Sequence, residues 1–549
     1  FLHRYSIIFN GEIYNHLELR KDIKLLNHTW RGTSDTETLI ALFQYYNLET
    51  ILHKLEGMFA FCVFDIKEKK LFIARDRCGE KPIYISTGNN YFAFSSDLIS
   101  IKNLTFFDKK ISENALKSYF TYNYILNPHS IYQNTYKVPP SSYLTLDLNK
   151  IEFNESNSFE DFINNKNIIF KKWWKINENP SRVLQNNDYI NNTEKLLLES
   201  VKNQLISDVP LGAFLSGGID SSLVVSLMQK LQNNTKTFTI GYENNDFDES
   251  KYAEKIAKYL GTDHNTFILS KHEFLDVIKN INDVYSEPFA DSSQIPTVLL
   301  SKLSRQKVKV VLTGDGGDEL FGGYNRYLYA NKYFKYIKIL TNFLGLNLFK
   351  ILPYDKILNI LSIILSNKFN KKQLHKISDK LIYINNKKSF YDSLTKEWSQ
   401  HLTVLNDDLY SYEDNRFDKL FNNNNLHLEE LMMIADFESY LTDDILCKVD
   451  RATMYSSLEA RTPFLNYQLI EYSKSIPFSY KINKGVTKKI LKQILNKYLP
   501  EEYFNRPKAG FAIPVSDWMK NELKDWVNDI LSYEICNKHN LFNYNVVQN

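Results

Sequence analysis

The chain has few of the residues that build disulfide frameworks or structural metal sites. It contains four cysteines in 549 residues, and Cys62, Cys78, Cys447 and Cys536 follow no metal-type spacing. Long apolar runs are also missing, because the most apolar stretch, residues 339–365, is interrupted by charged side chains and is not expected to span a bilayer. We therefore predict a protein of the reducing cytoplasm that has no membrane segment.

A strong excess of charge of either sign is missing as well. Lys and Arg total 67 and Asp and Glu total 64, so the formal net charge of +3 is small for this length. This balance gives no reason to expect nucleic acid or an anionic membrane as partner, and we predict small-molecule substrates instead. With 43% hydrophobic residues, the chain can bury the cores of about two to four domains.

The first part of the chain has the pattern of a β-rich domain. Ser6–Phe9 reads as a strand already under way, so we expect further residues of this domain upstream. The strand leads into Asn10-Gly11, a pair typical of a hairpin turn, and a simple hairpin is one interpretation. Asp35 lies near the start of an apolar helix, where a carboxylate is electrostatically favoured. Four further strands are predicted at Leu55–Phe61, Leu71–Arg77, Lys81–Tyr84 and Tyr91–Ser96.

From Tyr189 onward the pattern changes to alternating helices and strands. We predict helices at Tyr189–Gln204, Ser221–Leu231 and Glu249–Leu260, and strands at Val209–Leu215, Thr237–Tyr242 and Asn265–Leu269. This alternation favours an α/β domain with a parallel, doubly wound sheet, in which ligands bind at the carboxyl ends of the strands. Leu215 and Ile240 are predicted at such ends.

The turn between the first strand and helix of this domain carries the sequence SGGIDSS. Its glycines allow the backbone to approach an anion, its serine hydroxyls and helix N–H groups can donate to that anion, and its carboxylate can hold a divalent cation. The spacing differs from the Walker pattern, since no Lys follows. An ordinary Gly-Ser turn is the alternative. The residues concerned are Ser216, Gly217, Gly218, Ile219, Asp220, Ser221 and Ser222.

A second glycine-rich segment follows a β-branched strand and reads TGDGGDELFGGY, residues 313–324. Its acidic side chains are Asp315, Asp318 and Glu319. A calcium-binding loop is the rival interpretation, but the alternating ligand spacing and the final Glu of such loops are missing.

The segments NGEIYN, SDTE, LEGMFAF, ARDRCGEKPIY and FAFSSD, in this order, resemble the glutaminase domain of the class II, N-terminal-nucleophile amidotransferases. The resemblance implies an α+β fold with two sheets between helical layers (αββα). It also implies that Asn10 and Gly11 form an oxyanion hole, and that Glu12 and Asp35 bind the α-amino group of glutamine. The family nucleophile is a leading Cys, and residue 1 here is Phe. We therefore expect the chain from Phe1 to use ammonia and not glutamine.

SGGIDSS resembles the pyrophosphate loop of the ATP-pyrophosphatases, and residues 313–324 resemble the matching motif of the glutamine-hydrolysing asparagine synthetases. Residues 485–492 resemble the lysine element of that family. The resemblance implies an ATP-pyrophosphatase domain with extra helices, Mg²⁺ on Asp220 and Asp318, and catalytic roles for Asp315 and Lys488. The ATP-binding residues that it implies are Leu215, Ser216, Gly217, Gly218, Asp220, Ser221, Ser222, Ile240, Thr313 and Gly314.

These motifs divide the chain into four predicted parts. They are a glutaminase domain at 1–150, a linker at 151–188, a synthetase domain at 189–535 and a tail at 536–549. The charges of the segment around residue 448 are interpreted as solvated helix faces, namely Asp443, Lys448, Asp450 and Arg451.

Other segments receive coarser predictions. Residues 108–148 are interpreted as the family's connection, which carries a short strand after Pro139-Pro140. Residues 154–167 are expected to be a solvated surface loop. Residues 327–426 are predicted to pack as helices. Residues 506–515 resemble the family's K-x-G-F-x-x-P element.

The resemblance implies the asparagine synthase reaction. ATP and the side-chain carboxylate of aspartate give β-aspartyl-AMP and pyrophosphate, and ammonia from glutamine then gives asparagine and AMP. One alternative is a relative that amidates another carboxylate, such as a uronic acid of a surface glycan. A β-lactam synthetase is disfavoured because NGE is retained, and a non-catalytic scaffold is suggested by the absent leading Cys. The sequence does not fix the oligomeric state, and a homodimer is one arrangement that we consider.

Overall fold

The structure of the chain is a computed structural model. It describes residues 4–24, 28–156, 158–176, 188–242, 249–328, 384–397, 404–406, 414–505, 515–538 and 541–548, together with 330, 332–335 and 337–338. The element that resembles K-x-G-F-x-x-P, at 506–514, and most of the predicted helical region 327–426 lie outside the described residues. No helix in the described ranges is long and apolar enough to cross a membrane.

The first part of the chain forms two antiparallel sheets. The larger sheet has the order β1-β2-β3-β7-β8 and the smaller sheet has the order β5-β4-β6. The strands are β1 (Tyr5–Ile13), β2 (Gly57–Asp65), β3 (Lys70–Arg75), β4 (Tyr84–Gly88), β5 (Tyr91–Ser95), β6 (Thr135–Lys137), β7 (Ser142–Asp147) and β8 (Ile168–Lys172). The helices are α1 (His16–Lys24), α2 (Asp35–Leu42), α3 (Leu48–Lys54), α4 (Leu98–Lys102), α5 (Glu113–Tyr122) and α6 (Phe159–Ile163).

The side chains of β2 point alternately to the two faces of the larger sheet, and both faces are covered, which gives four layers. Phe59 and Phe61 point to one face of the larger sheet and pack with the apolar side chains of α2 and α3. Ala60 and Cys62 point to the other face and pack with side chains of the smaller sheet. Because successive residues of a strand face opposite sides, a strand covered on both faces is buried throughout. The outer face of the smaller sheet packs on α4 and α5, which confirms the predicted αββα arrangement.

The second part of the chain contains a parallel sheet of five strands in the order β11-β10-β9-β12-β13. All four strand pairs are parallel. Ala213 and Leu312 pack with helices on one face, whereas Phe238 and Val311 belong to a separate core on the other face. The predicted doubly wound α/β sheet is therefore confirmed. The strands are β9 (Leu211–Phe214), β10 (Lys236–Tyr242), β11 (Asp263–Leu269), β12 (Val310–Leu312) and β13 (Glu459–Arg461).

Helices surround this sheet and extend beyond it. The first group is α7 (Tyr189–Gln204), α8 (Ile219–Leu231), α9 (Ser250–Leu260), α10 (Lys271–Lys279), α11 (Ile281–Val284), α12 (Gln294–Ser304), α13 (Gly317–Phe321) and α14 (Asn325–Leu328). The second group is α15 (Lys387–Thr395), α16 (Asp418–Phe421), α17 (Leu428–Glu438), α18 (Cys447–Tyr455), α19 (Tyr467–Ser475), α20 (Phe478–Lys481), α21 (Lys489–Leu495), α22 (Val515–Lys520), α23 (Lys524–Ile530), α24 (Tyr533–Lys538) and α25 (Tyr544–Gln548). A π-helical turn at Leu441–Leu446 precedes α18.

Four sequence-based interpretations of the first part were wrong. The hairpin interpretation of Asn10-Gly11 fails because β1 continues through this pair in register with β2. The strand predicted at Lys81–Tyr84 begins only at Tyr84. The connection predicted at 108–148 does carry the short strand predicted after Pro139-Pro140, which is β7, but it also contains β6, and both strands are paired members of the two sheets. Segments as short as β6 and β7 become strands because they pair with neighbouring strands of the sheets, and their local periodicity alone does not determine this.

The fourth error concerns the predicted surface loop at 154–167 and the linker at 151–188. Ser158 caps α6 by accepting from the N–H of Asp161, and Phe159 and Phe162 are each only 4% exposed. Strand β8 then pairs with β7 as the edge of the larger sheet. A helix of five residues is too short for its periodicity to be recognised among polar neighbours. The remaining domain boundaries stay predictions.

Candidate active site

The first component of the candidate site is the turn between β9 and α8. Gly217 has a φ of +73°, in the left-handed region, and Gly218 begins α8 without a side-chain cap. The Ser216 N–H donates to the hydroxyl oxygen of Ser221 at 3.2 Å, and the two hydroxyl oxygens lie 3.0 Å apart. The buried Ser222 hydroxyl has no hydrogen-bond partner within the described ranges. Uncapped helix N–H groups and hydroxyls make this turn suited to an anion.

The second component is an ion-pair cluster of three residues that are far apart in sequence. Asp220 lies in the first turn of α8, Asp318 lies in the first turn of α13, and Lys488 immediately precedes α21. The Lys488 ammonium pairs with both carboxylates and is 2.6 Å from Oδ1 of Asp318. Burial opposes its charge, but the two carboxylates outweigh burial and raise the pKa of Lys488. The two carboxylates therefore converge on one cationic position.

Glycines make room for this convergence. A Cβ on Gly317 would lie 2.5 Å from Oδ1 of Asp220, and a Cβ on Gly314 would lie 2.8 Å from the backbone N of Ser221. A Cβ on Gly323 would overlap both the Asp318 carboxylate and the Lys488 side chain. The glycines of residues 313–324 thus allow close packing against the turn after β9. Two converging carboxylates also fit Mg²⁺, a cation that prefers oxygen ligands and keeps several waters.

Asp315 lies beside the cluster, between β12 and α13. Its Oδ2 accepts a hydrogen bond from the Thr313 hydroxyl at 2.7 Å. Burial raises the pKa of the Asp315 carboxyl, and the charges of Asp220 and Asp318 raise it further, whereas the Thr313 hydrogen bond and the Lys448 cation act in the opposite direction. A buried carboxylate with a raised pKa is suited to accepting a proton in this site.

The charges around residue 448 are not on a solvated helix face, so that prediction was wrong. Lys448 pairs with Asp291 at 2.9 Å, and the Asp443 carboxylate accepts from the N–H of Asn127 at 3.0 Å. Burial opposes ionisation of Asp291, but Lys448 lowers its pKa to about 2. The helix lies between the two halves of the chain, so all of its predicted solvent-facing charges are buried: Asp443, Lys448, Asp450 and Arg451.

Leu215 and Ile240, which are predicted to bind ATP, occupy different positions in the sheet. Leu215 directly follows β9 and donates its N–H to the carbonyl oxygen of Phe238. Ile240 lies inside β10, two residues before the carboxyl end of the strand at Tyr242, which is the end that the sequence predicted. Ile240 pairs with Phe267 on β11. Both side chains are buried, which leaves only their backbones for any ligand contact.

The residues that are predicted to bind glutamine lie together at the end of β1 and the start of α2. Asp35 Oδ2 accepts from the Ile13 N–H at 3.0 Å, which places Asp35 beside Glu12. The Asn10 amide donates to the Ser96 hydroxyl at 3.0 Å. A Cβ on Gly11 would overlap the carbonyl oxygen of Met58, so the close approach of β2 requires glycine. Burial raises the pKa of Glu12 to about 7, against the opposing effect of a nearby arginine.

Buried ion pairs connect the part of the chain before residue 176 with the part after residue 188. Lys137 lies 2.5 Å from Glu287, and Lys81 lies 2.9 Å from Asp450. Removing one partner of a buried pair leaves the other charge buried without a counter-charge, which costs about 3–5 kcal/mol. Such pairs therefore hold the two candidate sites in a fixed relation to one another.

Comparison with known families agrees with this division. The family model described as "Asparagine synthase" matches residues 192–549, and the model described as "Glutamine amidotransferase domain" matches residues 2–158. Asp220, Asp318 and Lys488 therefore lie in the first match, and Glu12 and Asp35 lie in the second.

Individual relatives match more than four fifths of the chain. "Asparagine synthetase [glutamine-hydrolyzing] 1" of Bacillus subtilis is 32% identical over 96% of this chain and 78% of its own length. "Putative asparagine synthetase [glutamine-hydrolyzing] 2" of Methanocaldococcus jannaschii is 35% identical over 82% of this chain and 81% of its own length.

The glycine packing gives a test of the ion-pair cluster. Gly323→Ala should destabilise the protein by about 1–3 kcal/mol, because the new methyl group displaces Asp318 or Lys488 from their pair. The φ of Gly323 is not in the left-handed region, so the effect is one of space alone. Gly32→Ala is the matched control, since its Cβ meets only a Glu37 oxygen at 3.4 Å. Equal denaturant midpoints for both variants would contradict the described packing.

Proposed function

The chain belongs to the asparagine synthase family, and from this premise we propose that it makes asparagine from aspartate, ATP and the nitrogen of glutamine. The observation that carries the proposal is the convergence of Asp220, Asp318 and Lys488 on the turn after β9. A turn that binds pyrophosphate needs donors, and the charge that develops on the leaving group needs cations. Family membership and this geometry together support a C–N ligase that uses ATP.

The proposed first step activates the substrate carboxylate. A carboxylate oxygen attacks the α-phosphorus of ATP, the bond from that phosphorus to the β-phosphate oxygen breaks, and pyrophosphate leaves with the electron pair. The turn residues Ser216, Gly217, Gly218, Ser221 and Ser222 hold the pyrophosphate through N–H and hydroxyl donors. Lys488 neutralises the negative charge that grows on it.

The proposed second step forms the amide. Ammonia attacks the acyl carbon of the adenylate, the C–O bond to AMP breaks, and AMP leaves. Asp315 accepts the proton that the attacking nitrogen releases, which its raised pKa favours. Thr313 fixes the orientation of Asp315 through the hydroxyl hydrogen bond, and the backbone of Thr313 and Gly314 borders the nucleotide.

Mg²⁺ is part of the proposal because the carboxylates of Asp220 and Asp318 fit it. The ion would be held by these two residues and would screen the charges of the phosphates. In the other half, Asn10 and Gly11 supply donors for the oxyanion of the glutamine reaction, and Glu12 and Asp35 bind the α-ammonium group.

A cytoplasmic location and a homodimer also belong to the proposal. The location rests on the cysteines, which are all unpaired. The homodimer stays a prediction that size-exclusion chromatography can check.

The choice of acid is tested by supplying L-aspartate or glucuronate with ATP and ammonium. We expect AMP and pyrophosphate in equal amounts with aspartate, and background release with glucuronate. Asp220→Ala serves as the control, since loss of this carboxylate should abolish pyrophosphate release from this site. Pyrophosphate release with glucuronate but not with aspartate would show that the substrate is a uronic acid. Formation of ADP would refute adenylation.

Lys488→Ala should lower the rate of adenylation about a hundredfold or more while ATP affinity changes little, as expected for a contact made in the transition state. Lys484→Ala is a matched control, because Lys484 also has a left-handed φ but is exposed. We expect its rate to stay within about twofold of the wild type. Weaker ATP binding by Lys488→Ala at an unchanged rate would assign Lys488 to ground-state binding.

A further inference from the structure

Arg461 is a residue of the synthetase half that reaches the predicted glutamine pocket. Its Nη2 lies 3.6 Å from Oε2 of Glu12, and no other ion-pair partner of Glu12 occurs in the part of the chain that the structure describes. The Arg461 side chain is 3% exposed, whereas that of Glu12 is 30% exposed. The guanidinium is therefore internal, and the carboxylate stays open to a ligand on its other side.

The guanidinium is fixed by groups of its own half. Its Nη1 donates to the carbonyl oxygens of Gln204 at 2.8 Å and Ile206 at 2.7 Å, and its Nε donates to Glu459 at 2.7 Å. With these contacts made, Arg461 cannot follow Glu12 if that side chain moves. The distance to Glu12 is longer than a hydrogen bond, so Glu12 keeps its lone pairs for a second cation.

We propose that Arg461 is a positioning residue of the glutamine site, which holds the Glu12 carboxylate ionised and oriented for the α-ammonium group of glutamine. The inference rests on the proposed function, in which glutamine supplies the nitrogen. It means that the glutamine pocket is completed only when the synthetase half is docked against it.

The charges around Glu12 explain why such a residue is needed. Asp35 on α2, Glu459 on β13 and Asp208 after α7 all favour the neutral form of Glu12, as burial does, and Arg461 alone opposes them. A neutral carboxyl cannot form an ion pair with an ammonium group. Glutamine binding should therefore weaken as the pH falls through the pKa of Glu12, and loss of Arg461 should move this weakening to higher pH.

The same residue touches the nucleotide side. The Arg461 carbonyl oxygen accepts from the Thr313 N–H at 2.9 Å, and Leu312 and Arg461 are partners in the parallel pairing of β12 and β13. Arg461 therefore contacts Glu12 through its side chain and the start of the candidate nucleotide segment through its backbone.

The test compares the KM for glutamine with the KM for ammonium in the full-length natural protein across pH 6–9. In Arg461→Met, we expect the glutamine KM near pH 7 to rise about fivefold more than the ammonium KM, since raising the pKa of Glu12 by about one unit from about 7 lowers its ionised fraction at pH 7 about fivefold. Arg461→Lys keeps the cation and should restore most of the wild-type pH profile. If Arg461→Met does not fold, the pH profile of Arg461→Lys still tests the proposal.

Two comparisons separate positioning from simple damage to the interface. Lys172→Met removes another contact between the halves, with Glu438 at 3.3 Å, and should leave the glutamine pH profile unchanged. In a Glu12→Gln background, Arg461→Met should add no further rise in glutamine KM. Equal rises for both nitrogen donors, or an additive double variant, would overturn the proposal. Failure of the wild type to form asparagine from ammonium would instead refute the proposed function.

Discussion

The shared ion pair of Lys488 with Asp220 and Asp318 is the interaction on which the candidate synthetase site depends. It joins the start of α8, the start of α13 and the residue before α21, which are far apart in sequence. Lys488 is only 4% exposed and has a left-handed φ of +50°. A non-glycine residue in that region costs about 1–3 kcal/mol and persists only when its surroundings hold it there. The two carboxylates supply that constraint.

Buried charge is also what connects the two halves. The α18 segment carries Asp450 and Arg451 into the interior, where they pair with Lys81 and Asp97 of the first half. Isolated buried charges are costly, so these pairs require the halves to dock in one arrangement. Arg461 extends the same principle to Glu12, because its guanidinium lies 3.6 Å from that carboxylate of the other half, which we propose to bind glutamine.

The sequence predicted the parts of this structure that local patterns determine. The helix at Tyr189–Gln204 and the parallel sheet follow from apolar periodicity, and the turn at 216–222 follows from its glycines and hydroxyls. Strands β6, β8 and β13 were missed because pairing with distant strands, and not their own pattern, defines them. The partner of Glu12 could not be predicted, since Arg461 lies more than 400 positions away and nothing local indicates a contact.

The central claim is that this chain activates a carboxylate by attaching it to AMP. The most direct measurement supplies L-aspartate labelled with oxygen-18 in its side-chain carboxylate, together with ATP and ammonium, and follows the label by mass spectrometry. The carboxylate oxygen that attacks the α-phosphorus leaves with AMP when the amide forms. We therefore predict labelled AMP, formed in step with asparagine, and unlabelled pyrophosphate. Unlabelled AMP, or label in inorganic phosphate, would contradict this account.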